Sequence, residues 1–452
     1  MNEGRSLPLT ELPPLDGELS LDTDVRAAAA DDFGHVVERM PLAVLRPGSV
    51  QDIALVTRWA ADNGWKIAAR GQGHSTFGRS QVDTGIVIDM TGFGDIHRVG
   101  EDHIVVGAGA TWRSVLAATL PRKLTPPVLT NYLDLSVGGT LSVGGIGGTT
   151  HRYGMATDNV RELEVVTGEG KVLTCSREEN PELFDCVRAG LGQFALITRA
   201  TLSLVAAPDR ARRYALVYPD LESLAADQRL LLRKGRADHL QGSILAPDGR
   251  WRHQLEMVVF HASGDQPDDD AVLAGLADDR AQAQIDDLSY REYVEAFDKF
   301  EELLRTTGEW ANPHPWWLTF LPGSAAEETA AGVLADIEPQ DLGVHGLVTF
   351  YPLTIDAIRT PLVTMPAGDV AFTFNLIRFA STDTQQVTHM LEQNRALYPR
   401  IRAAGGVVYP VSAFPLTPSE WEEHLGARWP VVRNAKERFD PAHCLTPGYE
   451  VF

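Results

Sequence analysis

The stretch Arg70-Gly-Gln-Gly-His74-Ser75 decides the fold, because it sets a histidine inside a glycine-rich turn. The apolar run before it, Trp65 to Ala69, is typical of a short strand. Glycine has no Cβ, so the backbone N–H groups of such a turn can approach a phosphate group closely. A single loop of this kind also occurs in proteins without a ligand, so the rest of the chain must show what the histidine does.

A second glycine-rich stretch, Gly138-Gly-Thr-Leu-Ser-Val-Gly-Gly-Ile-Gly-Gly148, follows about 60 residues later. A Rossmann fold requires the pattern G-x-G-x-x-G. The three candidate glycine pairs have Thr76, Trp112 and Thr150 where the third glycine should stand. The P-loop motif G-x-x-x-x-G-K-[ST] is also missing from the sequence. The pattern therefore favours two loops of backbone amides over either nucleotide-binding motif.

Local signals predict regular elements around these loops. Ser49, with Asp52 three residues later, predicts the start of a helix that Gly64 ends. Two apolar runs on either side of Gly168-Glu-Gly170 predict a β-hairpin. The alternation of apolar and polar residues from Leu196 to Val205 predicts a half-buried strand.

A chain of 452 residues is too long for one ordinary core, which predicts at least two domains. Glycine-rich loops become rare after Pro208 and return, with aromatic residues, near residue 406. We therefore predict an irregular N-terminal arm (1–40), a cofactor-binding domain (41–207), a substrate domain (208–405) and a C-terminal segment (406–452) that rejoins the cofactor-binding domain.

Composition argues against several kinds of partner. The net charge of −21 repels a phosphate backbone, so nucleic acid is not expected. The sequence shows neither a secretory leader nor an apolar stretch near the roughly 20 residues that span a bilayer, which predicts a cytoplasmic protein without membrane contact. Three cysteines do not make a disulfide framework. The 13 histidines are scattered and no H-E-x-x-H occurs, so no metal site is predicted.

The loop at residues 70–75 resembles the R-G-x-G-H-S loop of FAD enzymes of the vanillyl-alcohol oxidase and p-cresol methylhydroxylase (PCMH) type. Asn131-Tyr-Leu-Asp-Leu-Ser-Val-Gly-Gly-Thr-Leu-Ser142 resembles D-Y-L-x-L-T-V-G-G-T-L-S of the cytokinin dehydrogenases, also called cytokinin oxidases. Pro313-His-Pro-Trp316 and Thr446-Pro-Gly448 are similar to later motifs of that family. The resemblance extends over residues 41–452.

The resemblance implies an α+β fold of two domains. A PCMH-type FAD-binding domain is built from both ends of the chain, and a substrate domain has an antiparallel sheet covered by helices. It also implies FAD bound covalently through His74, by a single bond because residues 131–148 contain no cysteine. The implied cofactor-binding residues are Gly71, Gln72, Gly73, His74, Ser75, Gly78, Arg79, Ser136, Gly139, Thr140, Ser142, Ile146, Ile197, Tyr409, Thr446 and Tyr449.

The implied reaction is oxidation of a C–H bond next to nitrogen or oxygen in a small molecule, with hydride transfer to flavin N5. In the family, N6-isoprenoid adenines lose their side chain in this way. Electrons then pass to molecular oxygen or to another acceptor. The base that removes the substrate proton in the family is the aspartate of D-Y-L, and Asn131 stands there in this chain.

The candidate catalytic residues are Asn131, Asp134 and Glu301, the last in a helix predicted from Tyr290 to Arg305. A neutral amide cannot hold a proton as a carboxylate does. Two other hypotheses therefore stay open: a flavin oxidase that modifies an alcohol, amine or sugar in a biosynthetic pathway, and a catalytically inactive protein that binds FAD or a small molecule.

Overall fold

The computed structural model describes residues 12–452 of the protein. Its strands are β1 (Glu18–Ser20), β2 (Ala43–Arg46), β3 (Ile67–Arg70), β4 (Ile86–Asp89), β5 (Ile96–Val99), β6 (His103–Gly107), β7 (Leu124–Thr125), β8 (Val160–Thr167), β9 (Val172–Ser176), β10 (Ala195–Ser203), β11 (Val205–Ala206), β12 (Arg210–Tyr218), β13 (His239–Leu245), β14 (Arg252–His261), β15 (Gln284–Ser289), β16 (Trp317–Pro322), β17 (Leu347–Thr354), β18 (Val370–Ile377) and β19 (Val407–Val408). Its α-helices are α1 (Thr23–Ala30), α2 (Val50–Asn63), α3 (Trp112–Thr119), α4 (Val137–Val143), α5 (Thr150–Tyr153), α6 (Pro181–Val187), α7 (Leu221–Lys234), α8 (Asp269–Leu273), α9 (Tyr290–Val294), α10 (Asp298–Thr307), α11 (Ala326–Asp336), α12 (Thr384–Ala403), α13 (Pro418–Leu425) and α14 (Trp429–Phe439).

Two larger sheets and the two-stranded sheet of β11 and β7 form the first half of the chain. One of the larger sheets has the strand order β1-β2-β4-β3, and the other has the order β5-β6-β10-β8-β9. Helix α2 connects the parallel-aligned strands β2 and β3, and its ends confirm the predicted signals. Ser49 and Asp52 form a capping box, and Gly64 ends the helix in the left-handed conformation with φ of 72°. The hairpin of β8 and β9 and the strand β10 are confirmed as well.

The core of this first half also contains residues from near the end of the chain. Val432, Ala435 and Phe439 of α14 are buried in the same apolar cluster as the two sheets. Beyond α14, the backbone N–H of Thr446 donates to the carbonyl of Ile67 at 2.7 Å. Residues that lie far apart in the sequence are therefore needed together to complete the first hydrophobic core.

The second core lies against one antiparallel sheet of eight strands, with the order β15-β12-β14-β13-β17-β18-β16-β19. Helices α7, α11 and α12 cover one face of this sheet and bury their apolar stripes on it. Along β17 the side chains alternate between the two faces, so that Phe350 packs under the helices and Tyr351 on the opposite face. On that opposite face, Met155 of the first half and Tyr409 join the packing. The predicted α+β class with two domains is confirmed, while the boundaries at 41, 208 and 406 stay predictions.

The N-terminal arm differs from its prediction as an irregular segment. Its described part contains β1, which pairs antiparallel with β2, and the helix α1. Asp22 caps α1 by accepting hydrogen bonds from the amides of Asp24 and Val25. The strand is only three residues long and the helix is rich in alanine, so neither gave a clear periodic signal in the sequence.

Two further elements differ from the sequence interpretation. Residues 137–143, which read as part of a glycine-rich loop, form the helix α4, because Ser136 caps it by accepting from the amide of Gly139. The single helix predicted from Tyr290 to Arg305 is two helices, α9 and α10, separated at residues 295–297. None of the helices in residues 12–452 is long and apolar enough to cross a membrane.

Candidate active site

The two glycine-rich loops of the sequence lie against each other. We call residues 71–78 the first loop and residues 131–148 the second loop. A Cβ placed on Gly71 would lie 2.1 Å from the hydroxyl oxygen of Ser136, and one on Gly138 would lie 2.8 Å from the Cβ of Ala108. Side chains at these glycines would therefore separate the loops from each other and from the sheet behind them.

The first loop presents unpaired backbone donors. Within residues 12–452, no backbone amide of residues 71–77 donates a hydrogen bond, whereas the carbonyls of Gly73 and Ser75 both accept one. Gly73 adopts φ of 66°, and a Cβ there would lie 2.2 Å from the guanidinium of Arg70. Backbone N–H groups are strong donors that folded proteins rarely leave without a partner. A run of unpaired amides is suited to an anionic ligand such as a pyrophosphate.

His74 lies at the end of this run, among aromatic rings. Its imidazole stacks on Phe33 with ring centroids 3.9 Å apart, and the ring centroids of Tyr132 and Trp310 lie at 4.8 and 5.9 Å. Burial in this setting, with smaller contributions from His314 and Arg305, lowers the pKa of His74 to about 3. The imidazole is therefore neutral at physiological pH and keeps one nitrogen with a free lone pair.

A cleft of about 370 Å³ opens in front of His74 and is lined by Phe33, Gln72, Tyr132 and Trp310. Arg305 from α10 also lines the cleft, with its guanidinium 4.7 Å from the centre of the Trp310 ring.

Of the candidate carboxylates, Glu301 approaches the cleft through Arg305, with which it pairs at 2.7 Å. Burial, and then the negative charges of Glu301 and Asp134, raise the pKa of Tyr132. The charge of Glu301 therefore acts on Tyr132, a side chain that lines the cleft.

Asn131 and Asp134 have different surroundings. The side-chain amide of Asn131 is exposed and donates to the amide oxygen of Gln241 on β13 at 3.2 Å. Asp134 accepts hydrogen bonds from Nε and Nη2 of Arg113, which also binds Asp298 of α10. Residues 131–134 form a bend and a turn, so the two side chains point in directions that their spacing along the chain did not indicate.

The remaining predicted residues of the second loop are held by neighbours. Thr140 accepts from the indole N–H of Trp112 at 2.9 Å, and the Ser142 hydroxyl donates to the carbonyl of Gly138 at 2.8 Å. Gly139 is exposed at the start of α4, and Ile146 is half-buried against the sheet cluster that contains Tyr409.

Tyr409 is fully buried, and its hydroxyl accepts from the amide of Gly145 at 3.2 Å. Ile197 is buried in β10, within the first core.

The residues predicted near the C-terminus connect the first loop to the end of the chain. Arg79 is buried, donates to the carbonyls of Phe414 and Gly448, and lies 4.7 Å from the centre of the Tyr449 ring. Thr446 has φ of 45°, a conformation that is strained for a β-branched residue, and its hydroxyl donates to the carbonyl of Gly192. These contacts hold the site in shape from the side of the C-terminal segment.

Five residues around His74 were not identified from the sequence: Asp32, Phe33, Tyr132, Arg305 and Trp310. The first two lie in the N-terminal arm, and the last two follow the break between α9 and α10. Four of these positions depend on contacts between distant segments, so no local spacing could have found them, whereas Tyr132 is the neighbour of Asn131 in the second loop. Across residues 12–452, no group of three or more His, Cys, Asp or Glu side chains is arranged to hold a metal ion.

Comparisons with known proteins agree with this architecture. Residues 41–176 match the family described as FAD binding domain. Residues 265–452 match the family described as cytokinin dehydrogenase 1, FAD and cytokinin binding. Together with the two-domain fold, these matches make the protein an FAD-dependent oxidoreductase.

Relatives cover nearly the whole chain. An uncharacterized oxidoreductase, ORF5 of the fasciation locus of Rhodococcoides fascians, is 41% identical over 428 residues, which are 94% of this chain and 96% of that protein. Cytokinin dehydrogenase 10 of Oryza sativa subsp. japonica is 33% identical, with 96% of this chain and 88% of that protein covered. Cytokinin dehydrogenase 2 of Arabidopsis thaliana is 31% identical, with 96% and 93% covered. The chain belongs to the cytokinin dehydrogenase family.

The residues of this chain fit FAD. The unpaired amides of residues 71–77 are donors of the kind that hold a pyrophosphate. Gly71 and Gly73 have no side chain, and there is no space for one, so the amides stay open to a ligand. The neutral His74 at the end of the loop is flanked by aromatic rings, an environment suited to a flat conjugated ring system.

Proposed function

We propose that the protein holds FAD covalently through His74 and oxidises a C–H bond next to nitrogen in an isoprenoid adenine or a related small molecule. The observation that carries the proposal is the neutral imidazole of His74, stacked on Phe33 beside a cleft that aromatic and charged side chains line together. An imidazole must be unprotonated to act as a nucleophile, and burial keeps His74 in that form. The match of residues 265–452 to the family described as cytokinin dehydrogenase 1, FAD and cytokinin binding, supports the substrate class.

The side chains of the cleft have separate tasks in this proposal. When bound, FAD supplies the hydride acceptor, and oxygen or another acceptor takes the electrons afterwards. Tyr132 and Trp310, which pack edge to face on each other, provide an apolar surface beside the substrate. Asn131 orients the substrate N–H by accepting a hydrogen bond at its amide oxygen, because its amide nitrogen already donates to Gln241.

The site differs from the family pattern at the position of the proton acceptor. Asn131 contacts Gln241, so two neutral amides meet where a carboxylate is expected. This observation favours a second candidate function, the oxidation of an alcohol, amine or sugar whose proton leaves to water or to Glu301. Of the predicted carboxylates, Glu301 is connected to the cleft through its contact with Arg305, while Asp31 and Asp32 of the arm line the cleft themselves.

The visible spectrum of the purified protein under anaerobic conditions tests the proposal. We expect a flavin absorption band that bleaches when N6-isopentenyladenine is added, because hydride transfer removes the oxidised chromophore. A band that persists with this adenine but bleaches with an alcohol, amine or sugar would establish the second candidate. A colourless protein that takes up no added FAD would contradict both.

Asn131→Asp should increase the rate of bleaching by N6-isopentenyladenine. A carboxylate at this position can take the substrate proton, and a positioned base typically contributes about 10²–10⁴-fold, so a gain of at least about tenfold is expected. Stopped-flow absorbance measures the rate across pH. Asn63→Asp adds the same charge at the end of α2, outside the cleft, and should leave the rate unchanged. An unchanged rate in Asn131→Asp at every pH would contradict the role of this position in proton transfer.

A further inference from the structure

Asp32 is a buried carboxylate that binds the first loop from behind. It is 3% exposed. One carboxylate oxygen accepts from the hydroxyl of Ser75 at 2.7 Å and from the amide of Gly78 at 2.7 Å, and the other accepts from the amide of Gly34 at 3.0 Å. A single side chain therefore fixes two points of the first loop and the turn that follows Asp32 itself.

The backbone next to Asp32 continues this contact. The amide of Phe33 donates to the carbonyl of Gly73 at 2.8 Å, and the amide of Gly34 donates to the carbonyl of Ser75 at 3.0 Å. A Cβ on Gly34 would lie 2.2 Å from the carbonyl oxygen of Thr76, so the two backbones touch. The segment Asp32–Gly34 therefore binds the carbonyl groups of the first loop.

This one-sided pairing explains why the amides of the first loop are unpaired. Carbonyls of Gly73 and Ser75 are directed to the arm, and no amide of residues 71–77 has a partner within residues 12–452. Without the arm, the loop would be free to rotate its peptide planes and to pair these amides elsewhere. The arm therefore preorganises donors that the fold itself does not use.

The charge of Asp32 reduces the stability of the fold. Burial raises the pKa of Asp32 from 3.8 to about 6, although its hydrogen bonds and the charge of Arg70 oppose the shift. Because the pKa is higher in the folded protein than its ordinary value, stability falls as pH rises from 3.8 through about 6. At neutral pH the carboxylate is ionised, and its burial costs stability that the three hydrogen bonds offset only in part.

We propose that Asp32 is a positioning residue for the cofactor: its carboxylate holds Ser75 and Gly78 so that the amides of the first loop stay available to the phosphates of FAD. The inference rests on the proposed binding of FAD by this loop. It assigns a cofactor-related task to the N-terminal arm, which the sequence presented only as a lead-in to the first domain. Asp32 itself need not touch the cofactor.

The test uses His74→Ala as the background, since FAD then binds reversibly and its dissociation constant can be measured by fluorescence titration of the apoprotein. Adding Asp32→Asn should weaken FAD binding by at least about tenfold, because a carboxylate with three donors is replaced by an amide with one acceptor oxygen. The apoprotein should stay folded at pH 7.5, which its circular dichroism spectrum checks.

A second readout follows the loop directly. Trypsin can cleave after Arg70 and Arg79, which flank the first loop. Cleavage of the apoprotein there should be faster with Asp32→Asn, while cleavage elsewhere is unchanged. If Asp32→Asn yields no folded protein, Ser75→Ala removes one of its partners and should still accelerate cleavage at the loop.

Asp52→Asn is the matched control. Asp52 is also buried and accepts from the amides of Asp16, Gly17 and Gly48, but it lies at the start of α2 and not at the first loop. This substitution should lower the unfolding temperature and leave the FAD dissociation constant unchanged.

If FAD affinity is equal with and without Asp32→Asn, or if Asp52→Asn weakens FAD binding as much, the inference about Asp32 is overturned. The proposed cofactor site would not be affected by either result. Failure of His74→Ala itself to bind any FAD would overturn the proposed cofactor site, and the inference with it.

Discussion

His74→Ala should give a protein that releases all of its FAD on acid precipitation, whereas the unchanged protein keeps its flavin in the pellet. The bond requires a nucleophilic nitrogen at the flavin, and burial keeps the imidazole of His74 neutral by lowering its pKa to about 3. Residues 131–148 contain no cysteine that could form a second bond. We therefore expect the covalent fraction to fall from nearly all molecules to none, as measured by absorbance of the pellet and by intact mass.

His314→Asn provides the matched control for this experiment. His314 stacks on Phe33, as His74 does, and burial lowers its pKa to about 4. Its Nδ1 bonds to the carbonyl oxygen of Phe33, so it supports the aromatic cluster without belonging to the first loop. The control should keep the covalent bond. Flavin that stays with the His74→Ala pellet would rule out this histidine as the attachment site.

The second large effect is expected at the buried ion pair of α14. The ammonium of Lys436 lies 2.6 Å from the carboxylate of Asp440, and both side chains are almost fully excluded from solvent. The same carboxylate accepts from the amides of Cys444 and Leu445, which precede the contact with β3. Lys436→Met would leave this carboxylate buried without its counter-ion. Such a loss typically costs about 3–5 kcal/mol of the free energy of unfolding.

Urea unfolding of the FAD-loaded protein, followed by circular dichroism, measures this loss. Arg438→Met is the comparison, because Arg438 lies on the same helix and pairs with Glu182 on the surface. An exposed pair contributes about 1 kcal/mol or less, so the midpoint should move little. Equal losses of unfolding free energy in the two variants would show that the buried ion pair of Lys436 stabilises the protein no more than the exposed pair of Arg438.

The sequence predicted those parts of the fold that depend on neighbouring residues. The ends of α2 follow from a capping box and a glycine in the left-handed conformation, both local signals. The helix α4 was missed because its glycines suggested a loop, although Ser136 is a normal cap. The boundary between α9 and α10 was missed because an amphipathic pattern continues through it.

The candidate site was predicted unevenly for the same physical reason. The two loops could be found because glycine is required where backbones approach closely, as at Gly71 against Ser136. The aromatic cluster around His74 could not be found, since Phe33 and Trp310 come from segments more than 200 residues apart. Arg79 shows the converse limit. The structure shows its contacts with the carbonyls of Phe414 and Gly448, which the sequence did not indicate, while the cofactor contact implied by the resemblance stays a prediction.

The contact between β3 and Thr446 has a consequence for synthesis of the protein on the ribosome. Ile67 emerges early, and the backbone that pairs with it emerges only after the whole eight-stranded sheet has been translated. Domains generally fold as units while the chain grows. All eight strands of the second sheet are translated before α14, which completes the first core. The second core takes Tyr449 and Val451 from beyond the same helix, so a chain that ends within α14 would leave both cores incomplete.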